Sequence, residues 1–234
     1  TQSYQHASLP ISAQRALNLY AEAQPQGAKS QVTVHGSPGI TTFATAGTGP
    51  IRGAHMLGGL LYVVSGPWLY SITNAATPVV TQLGGQVSGS GIVGMSDNGE
   101  EIIVVNGANG YLYDTSNGFR LVTDADFNAA NTAAYHSGFF LLDWIGTNRV
   151  FQSDSLDGFS YNALAFVSKE AKSDFIRAVV NSKEVLHFFG ITSSELWGFS
   201  GAANVPFQRL ATIDRGIVAP HATAEEDQGL FMVG

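Results

Sequence analysis

Residues 59–72 read GLLYVVSGPWLYSI, two runs of apolar, β-branched and aromatic residues separated by Ser-Gly-Pro. Residues of these types favour β-strands, and the Gly-Pro dipeptide marks a turn between them. The stretch therefore predicts a β-hairpin, with residues 60–64 as a strongly apolar strand and residues 68–72 as its aromatic partner.

The same pattern recurs along the chain after residue 53. The strongly apolar strand is repeated at residues 102–105, 139–143, 185–189 and 230–233, and the first three of these are followed by an aromatic strand at 111–113, 149–152 and 195–199. A period of roughly 40 to 45 residues with four short strands is the blade length of a β-propeller. We predict an all-β fold, a β-propeller of four-stranded antiparallel blades over residues 51–234, with about four blades and the start of a fifth.

Asn-Gly pairs at 98–99, 106–107, 109–110 and 117–118 place turn residues between the strand-like runs, as hairpins require. A β-sandwich is the alternative, since it also has evenly spaced strands, but its strands alternate between two sheets and need not repeat in groups of four. We expect the propeller, incomplete in this chain, because no strand-like run follows residues 230–233.

The first 50 residues are rich in Gln, Ala and Ser and end in a Pro- and Gly-rich passage. This composition predicts an extended N-terminal arm and lead-in. Residues 12–23 fit either a short helix or an extended strip. Because the arm cannot bury a core of its own, we predict that it binds a partner through Leu19 and Tyr20; packing of both side chains against their own propeller is the other interpretation.

The composition limits the classes of partner. The formal net charge is −7 and the 11 Lys and Arg residues are scattered, so no basic stripe exists to neutralise phosphates, and we predict no sequence-specific nucleic-acid binding. The absence of cysteine excludes disulfides and thiolate metal sites. No apolar stretch approaches the ~20 residues that span a bilayer, so we expect no membrane partner.

Residues 89–94, GSGIVG, match the dinucleotide-binding fingerprint, and Asp114 follows at a suitable distance. The fingerprint needs a helix N-terminus to hold the pyrophosphate. Here residues 96–99, SDNG, predict a turn into another strand. We therefore predict no nucleotide cofactor.

Other candidate motifs also favour structural roles. Residues 155–161, SLDGFSY, are similar to the Asp-box turn of sialidase-like propellers, which caps a hairpin. No two of the six histidines lie within five residues of each other, a spacing that gives metal binding no support. We predict no catalytic residues, no metal and no enzyme activity. A propeller glycosidase, with carboxylates distant in sequence converging on the channel, or a polysaccharide-binding tail protein remains the alternative.

A family resemblance rests on several motifs: NLYAE at 18–22, PGI at 38–40, RGA at 52–54, GLLYVV at 59–64 and WLY at 68–70, then FIRA at 175–178, VLHFFG at 185–190 and SSELW at 193–197. With these motifs the chain resembles the phage stabilisation protein family, the packaged DNA stabilisation proteins or tail accessory factors of P22-like short-tailed bacteriophages. Members of this family are longer, so the resemblance implies that the chain corresponds to an N-terminal portion.

The resemblance implies a structural protein of the virion tail. It would form a homo-oligomeric ring, a tail hub or adaptor below the portal, and help to seal the packaged genome. Its implied partners are a portal or adaptor ring, a tail fibre or tailspike, and a needle or plug. The family supplies no catalytic residues to carry over.

Overall fold

All regular structure in the described part of the chain is β-strand. The computed structural model describes residues 19–28, 30–37, 39–202, 205–226 and 229–234. They belong to two compact units, one reaching to Phe43 and the other running from Ala44 to Gly234. Within these ranges there is no helix long and apolar enough to cross a bilayer.

The first unit contains a β-hairpin. Strand β1 (Leu19–Ala23) pairs antiparallel with β2 (Val32–Gly36), and all five residues of β1 are exposed. The helix considered for residues 12–23 is therefore wrong for its described part, and the extended alternative is correct there. Residues 12–18 lie outside the described residues.

The second unit contains four four-stranded sheets, which we call blades 1 to 4, and one two-stranded sheet, blade 5. Blade 1 comprises β3 (Ile51–Leu57), β4 (Leu60–Ser65), β5 (Trp68–Thr73) and β6 (Val80–Gly84). Blade 2 comprises β7 (Gly94–Asp97), β8 (Ile102–Val105), β9 (Gly110–Asp114) and β10 (Gly118–Leu121). Blade 3 comprises β11 (Ala133–His136), β12 (Phe139–Asp143), β13 (Arg149–Asp154) and β14 (Asp157–Ser168). Blade 4 comprises β15 (Ile176–Ser182), β16 (Val185–Gly190), β17 (Ser194–Phe199) and β18 (Phe207–Ile213), and blade 5 comprises β19 (Thr223–Glu226) and β20 (Gly229–Met232).

Every strand of a blade is hydrogen-bonded to its neighbours in sequence, and all pairs are antiparallel. A sandwich would alternate strands between two sheets, so the sandwich alternative is wrong and the propeller prediction is confirmed. None of the predicted second strands, now β4, β8, β12, β16 and β20, is displaced by more than one residue from its expected position.

The core lies between consecutive blades. Val64 and Leu69 of blade 1 pack with Ile102 and Val104 of blade 2. In the same way, blade 2 packs on blade 3, and Leu141 of blade 3 meets Leu186 and Phe188 of blade 4. A second strand therefore has neighbours on both faces, which explains why β8 is apolar and buried at all four positions instead of alternating.

The connectors between blades are hydrogen-bonded to the blades that they leave. Val87 N donates to Pro67 O (2.8 Å), Lys169 N to Asn148 O (2.8 Å) and Ile217 N to Gly190 O (3.0 Å). Between blades 2 and 3 the direction is reversed, and Gly107 N of the β8–β9 turn donates to Ala130 O (2.8 Å). We call this end of the blades, which carries the connectors and the turns between second and third strands, the connector end.

Candidate interaction surfaces

A cleft of about 450 Å³ lies between the first strands of the five blades. It is lined by residues of β3, β7, β11, β15 and β19 and by part of the last connector, and its polar lining includes His55, Asp97, Asn181, His221 and Glu225. This is where the axial channel of a propeller is expected. No Lys or Arg is among the described residues that line it.

Most polar side chains of the cleft connect neighbouring blades. His55 Nε2 lies 2.5 Å from Asp97 Oδ2, which joins β3 to β7. Asn181 Nδ2 donates to Tyr135 O at 2.8 Å, and Ser182 Oγ donates to Glu225 Oε1 at 2.7 Å. These bonds hold the first strands together around the cleft.

The cleft has no evident metal centre. In the part of the chain that the structure describes, no three His, Asp or Glu side chains come together in a way that could hold a metal ion. Burial lowers the pKa of His221, so its imidazole is neutral at neutral pH and adds no positive charge.

A buried carboxylate couples blade 3 to blade 4. Asp143 on β12 is fully buried and accepts hydrogen bonds from Thr132 N (2.6 Å), Thr132 Oγ1 (2.8 Å) and Asn131 N (3.0 Å). Thr132 Oγ1 in turn accepts from Val179 N of β15 at 2.9 Å. Burial raises the pKa of Asp143 to about 7, although the three donors act in the opposite direction.

We expect Asp143→Asn to change how stability depends on pH. Because the pKa of Asp143 is raised in the folded state, the folded chain binds its proton more tightly than the unfolded chain, and stability from this group falls as pH rises through about 7. The wild type should therefore lose stability relative to Asp143→Asn between about pH 4 and about pH 7. Urea unfolding at a series of pH values measures this difference, with the exposed Glu100→Gln as control. A difference that does not vary with pH would contradict the expectation.

Residues 87–91, which overlap the start of the fingerprint-like segment at 89–94, bind the guanidinium of Arg52. Arg52 Nε donates to Gly91 O (2.7 Å), and its two Nη atoms donate to the carbonyl oxygens of Val87, Ser88 and Gly66 at 2.9–3.0 Å. The loop thus presents carbonyl oxygens to a cation, whereas a phosphate loop presents N–H groups. Strand β7 begins at its last residue, Gly94.

Gly94 is required by the packing of blade 3. A Cβ at this position would collide with Asn131 O and would lie 2.9 Å from Thr132 Cα, both backbone atoms. Gly91, in contrast, has open space around its Cβ direction. The glycine pattern therefore reflects contact between blades rather than the approach of a dinucleotide.

The segment similar to an Asp-box caps the β13–β14 hairpin. Asp157 Oδ1 accepts from Phe159 N at 2.9 Å, Ser160 Oγ donates to Asp154 Oδ2 at 2.8 Å, and Leu156 N donates to Gly138 O at 2.7 Å. The Asp157 side chain thus satisfies one backbone N–H of the hairpin, which fits the structural interpretation of this motif.

A buried lysine anchors the connector between blades 3 and 4. Lys169 is fully buried, and its Nζ forms an ion pair with Asp174 and donates to Ser193 Oγ (2.6 Å) and Lys172 O (3.1 Å). Burial works to raise the pKa of Asp174, but the Lys169 ammonium together with Thr192 N–H and Ser193 Oγ outweighs it and holds that pKa below its usual range. The connector and the β16–β17 turn are joined by this pair.

Glu195 on β17 supports the same connector and is fully buried. It accepts from Ala171 N (2.6 Å), Glu170 N (2.9 Å) and Trp197 Nε1 (2.9 Å). The SSELW motif thus combines a glutamate and a tryptophan that fix each other and the chain entering blade 4.

The two residues predicted to bind a partner lie next to each other on β1. Leu19 and Tyr20 are 49% and 55% exposed. Tyr20 stacks on His35, its cross-strand partner, with the ring centroids 5.3 Å apart, and His35 Nε2 lies 3.3 Å from Glu22 Oε2. Partner binding by Leu19 and Tyr20 stays a prediction.

Comparisons with known proteins give one family. The model described as "Bacteriophage P22 Gp10, beta-propeller" matches residues 6–234. In a search of the curated proteins, none matches the chain.

Solved structures agree on the fold. YjhT is 10% identical and has a TM-score of 0.52, with 74% of this chain and 69% of that chain covered. Hsv2 from Kluyvelomyces marxianus is 8% identical and has a TM-score of 0.51, with 87% of this chain and 75% of that chain covered. Apo AztD from Citrobacter koseri is 13% identical and has a TM-score of 0.50, with 88% of this chain and 58% of that chain covered. At these identities the likeness concerns the fold alone.

Proposed function

This chain belongs to the phage stabilisation protein family, and from that premise we propose that it is a structural protein of the virion tail. In this proposal it forms a tail hub or adaptor below the portal, helps to seal the packaged genome and docks tail fibres or tailspikes. The observation that carries the proposal is the family match over nearly the whole chain.

The polar groups of the axial cleft support a role without catalysis. A glycosidase needs two carboxyl groups roughly 5 to 9.5 Å apart that are free to act on the sugar. In the cleft Asp97 is bonded to His55, and Glu225 is bonded to Ser182. Both carboxylates already join blades, and we propose that the protein is not an enzyme and uses no cofactor.

The charge of the chain supports sealing by contact between proteins. A net charge of −7 repels phosphates instead of binding them. We propose that copies assemble into a homo-oligomeric ring that contacts a portal or adaptor ring and a needle or plug, without sequence-specific binding of nucleic acid and without a membrane partner.

Electron microscopy of particles of the phage that encodes the chain tests this proposal. The expected result is a ring of copies at the portal vertex. Density elsewhere in the particle, or absence of the chain from particles, would overturn the tail hub role. Turnover of host polysaccharide by the purified chain would favour the glycosidase alternative.

We expect Leu19→Asp combined with Tyr20→Ala to weaken assembly with the portal-side ring at least about tenfold, because an exposed apolar anchor that becomes buried at an interface contributes more than a tenfold change in affinity. Co-sedimentation with that ring measures the effect. The control is Leu164→Asp, at an exposed position on β14. Unchanged assembly of the double variant would contradict the prediction that the arm binds a partner.

A further inference from the structure

Three large apolar side chains are exposed around one depression at the connector end. Ile145 of the β12–β13 turn, Phe175 of the connector and Ile191 of the β16–β17 turn are 38%, 54% and 42% exposed. They line a cavity of about 170 Å³, and the other lining residues are Asn131, Gly146, Ile176, Arg177 and Pro220. Blades 3 and 4 and the connector between them thus converge on a partly apolar surface that is open to a partner.

Arg177, the second residue of β15, lines the same depression. Its Nε is shielded from solvent and has no acceptor. Its guanidinium makes no ion pair with any of the described residues. A shielded donor without an acceptor is unfavourable, and a carboxylate placed opposite a guanidinium satisfies several of its donors at once.

The other cations buried between blades are satisfied within the chain. Arg52 donates to four carbonyl oxygens, and Lys169 is paired with Asp174. Arg177 differs from both, because it has no ion-pair partner among the described residues and lines the depression together with the exposed Phe175 and Ile191.

We propose that this depression, which we call the Phe175 surface and define by Ile145, Phe175, Arg177 and Ile191, is a docking site for a segment of another virion protein. The segment inserts an apolar side chain against Phe175 and Ile191 and places an Asp or Glu carboxylate on Arg177. That the partner is another virion protein rests on the proposed function.

Nucleic acid is the occupant that the observations disfavour. Two of the three exposed side chains are aliphatic, and the chain carries a net charge of −7, whereas binding to a phosphate backbone depends on several cations. The single guanidinium in an apolar setting is suited to one carboxylate, and its charge is complementary to an acidic residue beside an apolar one.

Photocrosslinking in assembled particles tests the proposal. Benzoylphenylalanine is introduced at position 175 and, as the matched control, at position 164, where Leu164 is 81% exposed on β14. The expected result is a crosslink from position 175, and none from 164, to a different virion protein, at a peptide that has an Asp or Glu within a few residues of the crosslinked apolar side chain.

Arg177 variants test the charge component in the same particles. Arg177→Glu should lower the crosslink yield from position 175 about tenfold, and a Lys or Arg in place of the mapped carboxylate should restore it. The unfolding temperature of Arg177→Glu should match that of the wild type. If Arg177→Glu folds poorly, Arg177→Gln is the second variant, and it should also lower the crosslink yield from position 175.

Three outcomes would overturn the docking site while leaving the virion role intact. They are particles that contain the chain but give no crosslink from position 175, a crosslink to DNA or to a second copy of this chain, and a yield that is insensitive to both Arg177 variants. Absence of the chain from particles overturns the docking site and the proposed function together.

Discussion

Lys169→Met is expected to lower the free energy of unfolding by about 3–5 kcal/mol, because it leaves a carboxylate without its partner in a shielded place. Met replaces the length of the lysine side chain, so little volume is lost. Asp174 and Ser193 Oγ, however, both lose the ammonium to which they are bonded. Urea unfolding of the full chain, followed by tryptophan fluorescence, measures the change.

The paired control is Lys172→Met. Lys172 Nζ lies 2.9 Å from Asp214 Oδ1, and both side chains are exposed. Exposed ion pairs contribute little to stability. The free energy of unfolding of this variant should therefore equal that of the wild type. Equal effects of the two variants would show that burial of Lys169 has no energetic consequence.

A double variant separates the lost ion pair from lost packing. Asp174→Asn in the Lys169→Met background removes the isolated charge, and it should recover part of the stability.

The pKa of Asp174 is lowered in the folded state, so its contribution to stability is present above its unfolded pKa near 3.8 and is lost as pH falls further. The difference between wild type and Lys169→Met should therefore shrink in acid.

Gly94→Val is expected to cost about 3 kcal/mol or more, because the new side chain meets backbone atoms of Asn131 and Thr132 that cannot rotate away. Blade 2 and blade 3 would have to separate to admit it. Thermal and urea unfolding measure the loss.

Gly91→Ala is the control in the same glycine-rich segment. Its Cβ would meet no atom within 4 Å, so the substitution should be neutral or stabilising by up to about 1 kcal/mol. Loss of stability at Gly91 but not at Gly94 would contradict the packing explanation.

The blades could be predicted because their signal is local. Residues 102–105 and 139–143 coincide with β8 and β12, since a strand that is buried on both faces is apolar at consecutive positions. The turns after these strands contain Asn and Gly, because these residues tolerate the backbone angles of tight turns, and this requirement also acts over only a few residues. Repetition of this unit was sufficient to predict the propeller.

The bonds between blades could not be predicted in the same way. Arg52 binds carbonyl oxygens 35 to 39 residues away as well as one 14 residues away, and Glu195 receives N–H groups from 24 and 25 residues earlier. No periodicity marks such partners, and Lys169 has the same sequence features as a solvated charge. The motifs RGA and SSELW contain Arg52 and Glu195, so family resemblance was the available signal.

Some of the candidate surface residues could be predicted from the sequence, and others could be found only in the structure. Leu19 and Tyr20 are exposed, and their binding of a partner stays a prediction that came from composition over a whole segment. Phe175 and Arg177 lie in the FIRA motif, but only the convergence of two turns with the connector between blades 3 and 4 brings them beside Ile145 and Ile191. Tertiary structure was needed to find that surface.

Pairing of each strand with its sequence neighbour has a consequence for biogenesis. The β-turns of blades 1 to 4 close over short loops, so each sheet can form soon after its own residues leave the ribosome. The Ile217 N to Gly190 O bond joins the chain that enters blade 5 to blade 4, which is synthesised first. Translation from the N-terminus supplies the blades in that order, and residues 1–213 already contain every strand of the four complete sheets.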